Sequence, residues 1–340
     1  MTLRAGISGC GPSGRALVAA ARVAGLGSVI AAHDDDDAAL ATLRSATPVG
    51  TATTDFAALL ATGVDFVVLA GPLAARLAQV RAAAEQAVPV LATAPIAASA
   101  AEAAAMLAAC REAEVAFGVH VDAFADPVHE ELRRMVQDGW FGALVAVHAA
   151  WPDDLHDAGV SAFARFAGAL HAVPWCTGRR VRRIGALAAA TALQPSPLAA
   201  TAELTGGVVA TLAAAGAGME SSGGGTARVA PLGGRHVLPL VGTDATASLC
   251  ADTVSLCGRR AWSGAVFAYD VPGEARRLDA VTLATARARL TAPLEPIGRF
   301  ARWLEQHDAP ACPSAQAEQD LRALAALDEA LASGRIVDVP

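Results

Sequence analysis

The stretch Arg4–Gly14, RAGISGCGPSG, decides the fold of this chain. A short apolar run ends there in a Gly-x-Gly-x-x-Gly pattern, and an alanine-rich helical segment follows directly. Gly9 allows a tight turn, Gly11 lets the backbone approach a ligand, and Gly14 lets the helix pack closely on the strand. The pattern predicts a βαβ unit whose helix N-terminus presents N–H donors and a positive dipole to a phosphate.

A second feature lies twenty residues after Gly14, where His33 is followed by the acidic run Asp34–Asp37. A carboxylate at the end of the second strand can accept hydrogen bonds from ribose hydroxyls, and it repels a ribose 2′-phosphate. The two features together predict that the chain binds NAD(H) in preference to NADP(H). The cofactor contacts predicted from them are Gly9, Cys10, Gly11, Pro12, Ser13, Gly14, His33 and Asp34.

Short apolar runs alternate with alanine- and leucine-rich helical segments up to about residue 120, which is typical of a parallel α/β sheet. Residues 1–120 are therefore predicted to form a Rossmann domain with a doubly wound parallel sheet. The predicted strands lie near Arg4–Ser8, Ser28–His33, Pro48–Thr51, Phe66–Ala70, Pro89–Ala92 and Val115–Val119. The predicted helices include Ala38–Leu43, Phe56–Leu60 and Ala101–Ala113, with N-caps at Asp36, Asp55 and Ser99.

The pattern changes after residue 120, where a helix at Asp126–Val136 is followed by strands in series with glycine-rich turns. This change predicts an α+β domain over 121–340, with a large, open and mostly antiparallel sheet, in a chain of the α/β class. The predicted strands are Ala143–Trp151, Val181–Ala189, Ala199–Leu204, Val208–Ala214, His236–Val241, Ala247–Cys250 and Arg259–Tyr269. Gly206–Gly207 is a predicted hairpin turn. Two C-terminal helices within 296–334, Arg299–Gln306 and Ala315–Ala332, are assigned to the same domain.

Composition excludes several classes of function. All 26 basic residues are arginine, and asparagine is also missing, as expected from codon bias in a GC-rich bacterial genome. A Schiff-base lysine and a P-loop lysine are therefore impossible. The net charge of −7 argues against nucleic-acid binding. The absence of a signal-like start and of a long apolar segment predicts a cytoplasmic protein that does not bind a membrane.

The 6 cysteines are scattered, with no Cys-x-x-Cys pair, so free thiols in a reducing compartment are expected. His129, His148, Asp153 and His156 show no metal-ligand spacing. No metal site is predicted.

The layout and several motifs resemble the Gfo/Idh/MocA family of NAD(P)-dependent oxidoreductases. The motifs that carry the resemblance are Ala5–Gly11, Val67–Pro72, Gly206–Thr211, Leu240–Thr243 and Ala332–Val337. The resemblance implies that the nicotinamide lies between a Rossmann domain and an α/β domain whose open sheet often forms an oligomer contact. It adds further cofactor contacts at Ala70, Pro72, Arg76, Thr93 and Ala94.

The sequence differs from that family at the residues that transfer protons. The family's Glu-Lys-Pro motif falls on Thr93-Ala94-Pro95, so that the lysine is replaced by Ala94. The family also has an aspartate and a histidine on one helix of the second domain. Here Ala167 replaces the aspartate, and His171 matches the histidine. Arg76 stands where a histidine is usual. Because oxidation of an alcohol needs a base for the hydroxyl proton, sugar dehydrogenation by the family mechanism is not expected.

His171 is the candidate catalytic residue, as a proton donor near neutral pH. His120, Asp122, Arg165 and Trp151 are candidate substrate contacts. Structural alternatives remain open for all of them: a histidine hydrogen-bonded within its own domain, an interdomain pair of His120 with Asp122, and core or surface roles for Arg165 and Trp151.

Three functions are consistent with these residues. The first is an oxidoreductase that reduces a C=N or C=O group of a small metabolite, which needs a positioned hydride and one proton donor. Ala261–Ser263 and Pro310–Ser314 resemble the thiazolinyl imine reductases, which also lack the lysine. The second is a non-catalytic NAD-binding regulator or scaffold, and the third is a non-redox enzyme for cyclisation or elimination. A homodimer or homotetramer through the C-terminal sheet is expected because an uncovered apolar face rarely stays in water.

Overall fold

A computed structural model describes residues 3–24, 28–121, 127–153, 162–188, 198–216, 238–250, 253–258, 276–277, 296–306 and 314–340 of the chain. The chain divides into two compact units. The first contains residues 1–125 and 290–321, and the second contains residues 126–289 and 322–340.

The first unit is built on a parallel sheet. Its strands are β1 (Arg4–Ser8), β2 (Ser28–His33), β3 (Thr51–Thr53), β4 (Phe66–Leu69), β5 (Val90–Thr93) and β6 (Phe117–His120). The strands have the order β3-β2-β1-β4-β5-β6, and each neighbouring pair is parallel. Between them lie the helices α1 (Pro12–Ala24), α2 (Asp37–Ala46), α3 (Phe56–Leu60), α4 (Leu73–Glu85) and α5 (Ala100–Glu112). The predicted Rossmann sheet is confirmed, although the strand expected near Pro48–Thr51 lies at Thr51–Thr53.

The predicted N-caps begin the helices as expected. The side chains of Asp36, Asp55 and Ser99 each accept a hydrogen bond from a backbone N–H in the first turn. Each cap satisfies a donor that has no partner within its helix, which fixes where the helix begins.

One C-terminal helix differs from the sequence prediction. Helix α8 (Pro296–Gln306) packs against the core of the first unit, whereas we predicted 296–334 within the second domain. Ile297 and Phe300 are buried beside β1 and β4, and the rings of Phe300 and Phe66 meet at 5.4 Å. The amphipathic pattern of the helix showed that one face is buried but not which core buries it.

The second unit is built on a larger mixed sheet. Its described strands are β7 (Leu144–Asp153), β8 (Val181–Ala188), β9 (Leu198–Leu204), β10 (Val208–Gly216), β11 (Leu240–Gly242), β12 (Ala245–Cys250), β13 (Thr253–Gly258), β14 (Arg276–Arg277) and β15 (Val337–Asp338). They have the order β14-β13-β12-β11-β7-β10-β9-β8-β15. Only β7 and β10 pair in parallel among the described pairs, so the mostly antiparallel sheet is confirmed.

The hairpin between β9 and β10 turns at Gly206–Gly207, as predicted. The φ angles there are +83° and +76°, which disfavour any residue with a Cβ. The predicted strand Arg259–Tyr269 lies outside the described residues.

Helices complete the second unit. They are α6 (Pro127–Gln137) and α7 (Ala162–Thr177), while α9 (Ser314–Ser333) spans the division between the units. Helix α7 is apolar on nearly all sides and is buried along its described length, packed against β7, β10 and α6. No helix of the described ranges is both long and apolar enough to span a membrane.

The sheet of the second unit has two different faces. On β9, Leu198, Ala200, Ala202 and Leu204 are buried, while the alternate residues face outward. Val209 on β10 and Leu187 on β8 lie on that outward face and are 45% and 71% exposed. The sheet is therefore covered on one face and carries exposed apolar side chains on the other.

Candidate functional site

The glycine loop connects β1 to α1 at the carboxyl edge of the first sheet. Gly9 has φ +101°, and a Cβ there would overlap the backbone nitrogen of Gly71. A Cβ on Gly14 would overlap the Gly9 carbonyl oxygen, so helix and loop touch at this point. A Cβ on Gly11 would meet nothing within 4 Å. Open space therefore lies against the backbone at the start of the helix.

The first turn of α1 supplies donors to that space. Pro12 is the first helical residue, and Pro12 and Ser13 are exposed. The N–H groups of the first helical turn have no acceptor within the helix, and they carry the positive end of its dipole. Open space over Gly11 beside these donors fits the pyrophosphate of a dinucleotide.

Asp34 follows β2 and contacts the glycine loop directly. Its Oδ2 accepts the Cys10 backbone N–H at 2.6 Å, and its Oδ1 accepts the Asp36 backbone N–H at 2.9 Å. Both bonds fix the carboxylate at the edge of the loop, where lone pairs remain for ribose hydroxyls. The nearby Cys10 thiol is buried, and this burial, followed by the Asp34 charge, raises its pKa to about 12.

His33 occupies the last position of β2, but its side chain turns inward. Its Nδ1 lies 2.9 Å from the Ser8 hydroxyl, which also accepts a hydrogen bond from Gln79 Nε2 at 3.0 Å. The ring packs edge-on against Phe56 and is 3% exposed. The backbone carbonyl of His33 accepts the Gly9 N–H at 2.9 Å. His33 thus supports the loop through its backbone, while its side chain is held within the fold.

Arg76 joins the loops that follow β4 and β5. Its guanidinium makes five hydrogen bonds: two to the Gly71 carbonyl, one each to the Thr93 and Pro95 carbonyls, and one to the Thr93 hydroxyl. A guanidinium has five N–H donors, so the protein uses all of them. The side chain is 4% exposed, and burial lowers its pKa to about 10. Arg76 therefore holds the two loops together and has no donor left for a ligand.

The remaining predicted contacts of the first unit lie at the same edge. Ala70, Thr93 and Ala94 are half-buried and Pro72 is exposed. The Ala94 N–H donates to the His120 carbonyl at 2.7 Å, and the Ala94–Pro95 peptide bond is cis. His120 ends β6, pairs with Thr93 and is buried. The structure thus brings these residues together with the glycine loop at the carboxyl ends of the strands.

The candidate residues of the second unit lie on α7 and β7. His171 is on α7 and is fully buried, and Arg165 on the same helix is 8% exposed. Ala167 lies one turn before His171 and is buried. It occupies the position of the aspartate in the family that the sequence resembles. Trp151 belongs to β7, where its backbone pairs with Ala214 of β10.

Some of the residues singled out in the sequence have no described structure. Asp122, Ala261–Ser263 and Pro310–Cys312 lie outside the described residues. Within the described part of the chain, no group of His, Cys, Asp and Glu side chains is arranged to hold a metal ion.

Two functional relationships were not predicted from the sequence. The role of Arg76 in holding the two loops together, called the Arg76 clamp below, was missed because four of its five hydrogen bonds end on backbone carbonyls, which leave no trace in the residue types. The hydrogen-bonded series of side chains Gln79–Ser8–His33 was missed because these residues are distant in sequence. The one signal was Ser8, which follows the apolar residues Ala5, Gly6 and Ile7 on β1 and is buried like them, since a buried hydroxyl needs a partner.

Comparison with known proteins supports the fold along the whole chain. Levoglucosan dehydrogenase, in a complex with NADH, matches with a TM-score of 0.80 at 14% identity, covering 100% of both chains. An oxidoreductase from Agrobacterium radiobacter, in complex with NAD+, L-tartaric acid and magnesium, matches with a TM-score of 0.76 at 17% identity, covering 100% of this chain and 99% of that one. UDP-N-acetylglucosamine 3-dehydrogenase from Acidithiobacillus ferrooxidans matches with a TM-score of 0.73 at 20% identity, covering 98% of each chain.

Sequence comparison identifies a similar family for the first part of the chain. No curated protein matches the sequence. Residues 3–121 match the model of the oxidoreductase family with an NAD-binding Rossmann fold, GFO_IDH_MocA. This is the segment that contains the glycine loop, Asp34 and the Arg76 clamp. Over residues 3–121, the chain therefore resembles the NAD-binding Rossmann domain of the Gfo/Idh/MocA oxidoreductases.

Proposed function

We propose that this protein is an NAD(H)-dependent reductase that acts on a C=N or C=O group of a small metabolite. The observation that carries the proposal is the cradle in the first unit: open space over Gly11 at the start of α1, with the Asp34 carboxylate fixed beside it. The cofactor supplies a hydride when bound. All other roles belong to side chains and backbone groups of this chain.

The residues of the cradle favour NADH over NADPH. The α1 N-terminus would hold the pyrophosphate, and Asp34 would accept hydrogen bonds from the adenosine ribose. Asp35, Asp36 and Asp37 are exposed directly after it. A ribose 2′-phosphate placed there would meet like charge on several sides.

The direction of the reaction follows from which proton groups are present. Ala94 and Ala167 provide no base for a substrate hydroxyl, which disfavours alcohol oxidation. Reduction of a polarised C=N or C=O needs a single proton donor, and His171 is the proposed donor. His120, Asp122, Arg165 and Trp151 are the proposed substrate contacts. The same two alanines also favour the alternative of an NAD-binding protein without turnover.

The proposal is tested in two steps. Calorimetric titration first measures NADH binding, for which Gly11→Ala is the binding-deficient control. The absorbance of NADH is then followed with panels of cyclic imines, ketones and aldehydes. Consumption of NADH by the native protein but not by Gly11→Ala supports a reductase. NADH binding without consumption by any panel member favours the regulator. Product formation that leaves NADH unchanged favours cyclisation or elimination.

We further propose that the protein forms a homodimer or homotetramer through the outward face of the second sheet. Val209 and Leu187 are exposed there. The surrounding outward positions include Ala199, Thr201 and the ion pair of Arg183 with Glu203. Small side chains give a flat surface on which a second copy can pack closely, burying the two apolar residues.

A further inference from the structure

Arg76 carries a buried positive charge, and no carboxylate of the described residues pairs with it. Its hydrogen bonds end on the Gly71, Thr93 and Pro95 carbonyls and on the Thr93 hydroxyl. Carbonyl dipoles solvate the charge but do not cancel it, because each is neutral overall. The guanidinium remains protonated at neutral pH, since burial lowers its pKa only to about 10. A net positive charge therefore persists beneath this part of the sheet edge.

The position of that charge relative to the glycine loop is defined by the strand order. Asp34 follows β2, the glycine loop follows β1, and Arg76 joins the loops after β4 and β5. In a doubly wound sheet the dinucleotide crosses the switch point between the two halves. With the adenosine ribose at the β2 side, the nicotinamide half falls over the ends of β4 and β5. Pro72 is exposed there, Thr93 and Ala94 are half-buried, and the buried guanidinium bonds the Thr93 carbonyl and hydroxyl.

We propose that Arg76 sets the relative affinity of this protein for the two redox forms of its cofactor, favouring NADH over NAD+. The inference rests on the proposed use of NAD(H). The oxidised nicotinamide ring is cationic and the reduced ring is neutral. Arg76 has no N–H left to bond a ligand, so it acts on the ring through its charge. The like charge weakens NAD+ binding and leaves NADH binding nearly unchanged.

The expected effect is large enough to measure. Two unit charges about 10 Å apart, at an effective dielectric constant of about 20–40, change an affinity by about fourfold to sixteenfold. A preference of this sign suits a reductase, because the reduced cofactor is retained before the reaction and the oxidised cofactor leaves after it.

The test compares three ligands by calorimetry: NADH, NAD+ and ADP-ribose, which lacks the nicotinamide. In the native protein NADH should bind more tightly than ADP-ribose, and NAD+ should gain little over ADP-ribose. Arg76→Lys keeps a positive charge with fewer donors, and Arg76→Gln removes the charge. The ratio of the NAD+ to the NADH dissociation constant should stay within about twofold in Arg76→Lys and fall by about fourfold to sixteenfold in Arg76→Gln.

Loss of hydrogen bonds weakens all three ligands together in either variant, so it cancels in the ratio. An unchanged ratio in Arg76→Gln, or an equal change in both variants, would overturn the proposal while NAD(H) binding stood. If Arg76→Gln does not fold, the native protein still decides: NAD+ binding as tight as NADH, relative to ADP-ribose, overturns it. Failure of all three ligands to bind would remove the proposed function as well.

Discussion

The Asp34 carboxylate accepts the backbone N–H of Cys10 at 2.6 Å, so the end of β2 is tied to the glycine loop. The Asp36 N–H donates to the other oxygen of the same carboxylate. The side chain that we propose to select the ribose is thus positioned by the fold itself. A preorganised contact costs little conformational entropy on binding.

Substitution of Asp34 tests the cofactor preference. Asp34→Asn should weaken NADH binding by about tenfold or more, because a hydrogen bond to a charged group contributes about 1.5–3 kcal/mol. Binding of NADPH should weaken less, since the like charge is removed at the same time. Glu112→Gln, at the exposed end of α5 and at the opposite edge of the sheet, is the control and should change both affinities little. Tighter binding of NADPH than NADH by the native protein would contradict the assignment.

Two glycines of the loop should respond differently to the same substitution. Gly11→Ala adds a methyl group into open space and should keep the melting temperature while it weakens NADH binding. Gly14→Ala forces the Gly9 carbonyl away from α1 and should destabilise the fold by several kcal/mol. Thermal unfolding and calorimetry on both variants provide the comparison. Unchanged NADH affinity in Gly11→Ala would show that the dinucleotide does not lie against this residue.

The packing of α8 on the first unit is tested at Phe300. Its ring is 1% exposed and meets Phe66, so Phe300→Ala should lower the free energy of unfolding by about 3–5 kcal/mol. Glu305→Ala, on the exposed side of the same helix, should cost less than about 0.5 kcal/mol. Chemical denaturation measures the free energy of unfolding of both variants, and their NADH affinity is the second measurement. A small loss in Phe300→Ala would mean that α8 does not close this core.

His171 is tested by separating its chemistry from its packing. The imidazole is fully buried, so His171→Ala removes packing together with any proton donor. His171→Gln keeps polar volume but cannot supply a proton near neutral pH. With a substrate in hand, His171→Gln should lower turnover by about 100-fold to 10,000-fold and leave NADH affinity nearly unchanged. Turnover within about fivefold of native, with an unaltered pH profile, would assign His171 to the structural role of a core histidine.

The outward face of the second sheet is tested by charge. Leu187→Asp combined with Val209→Asp should dissociate the expected dimer or tetramer, because paired copies would bury uncompensated carboxylates. Val145→Asp is the matched control: Val145 is 49% exposed but lies at the start of β7, outside the row that contains Val209. Light scattering at micromolar concentration measures the mass. A monomeric native protein would contradict the proposal.

The sequence by itself determined the Rossmann domain, its caps and the cofactor loop, because these depend on local rules. Glycine spacing, capping residues such as Asp36 and Ser99, and apolar runs act within a few residues of the chain. The Gly206–Gly207 hairpin was predictable for the same reason. Only the tertiary structure decided which core α8 packs against and that the His33 ring turns toward Ser8. It also decided that four of the five Arg76 hydrogen bonds end on backbone carbonyls. Those outcomes depend on partners that are distant in sequence, and a backbone carbonyl has the same chemistry in every residue, so no pattern of residue types announces it.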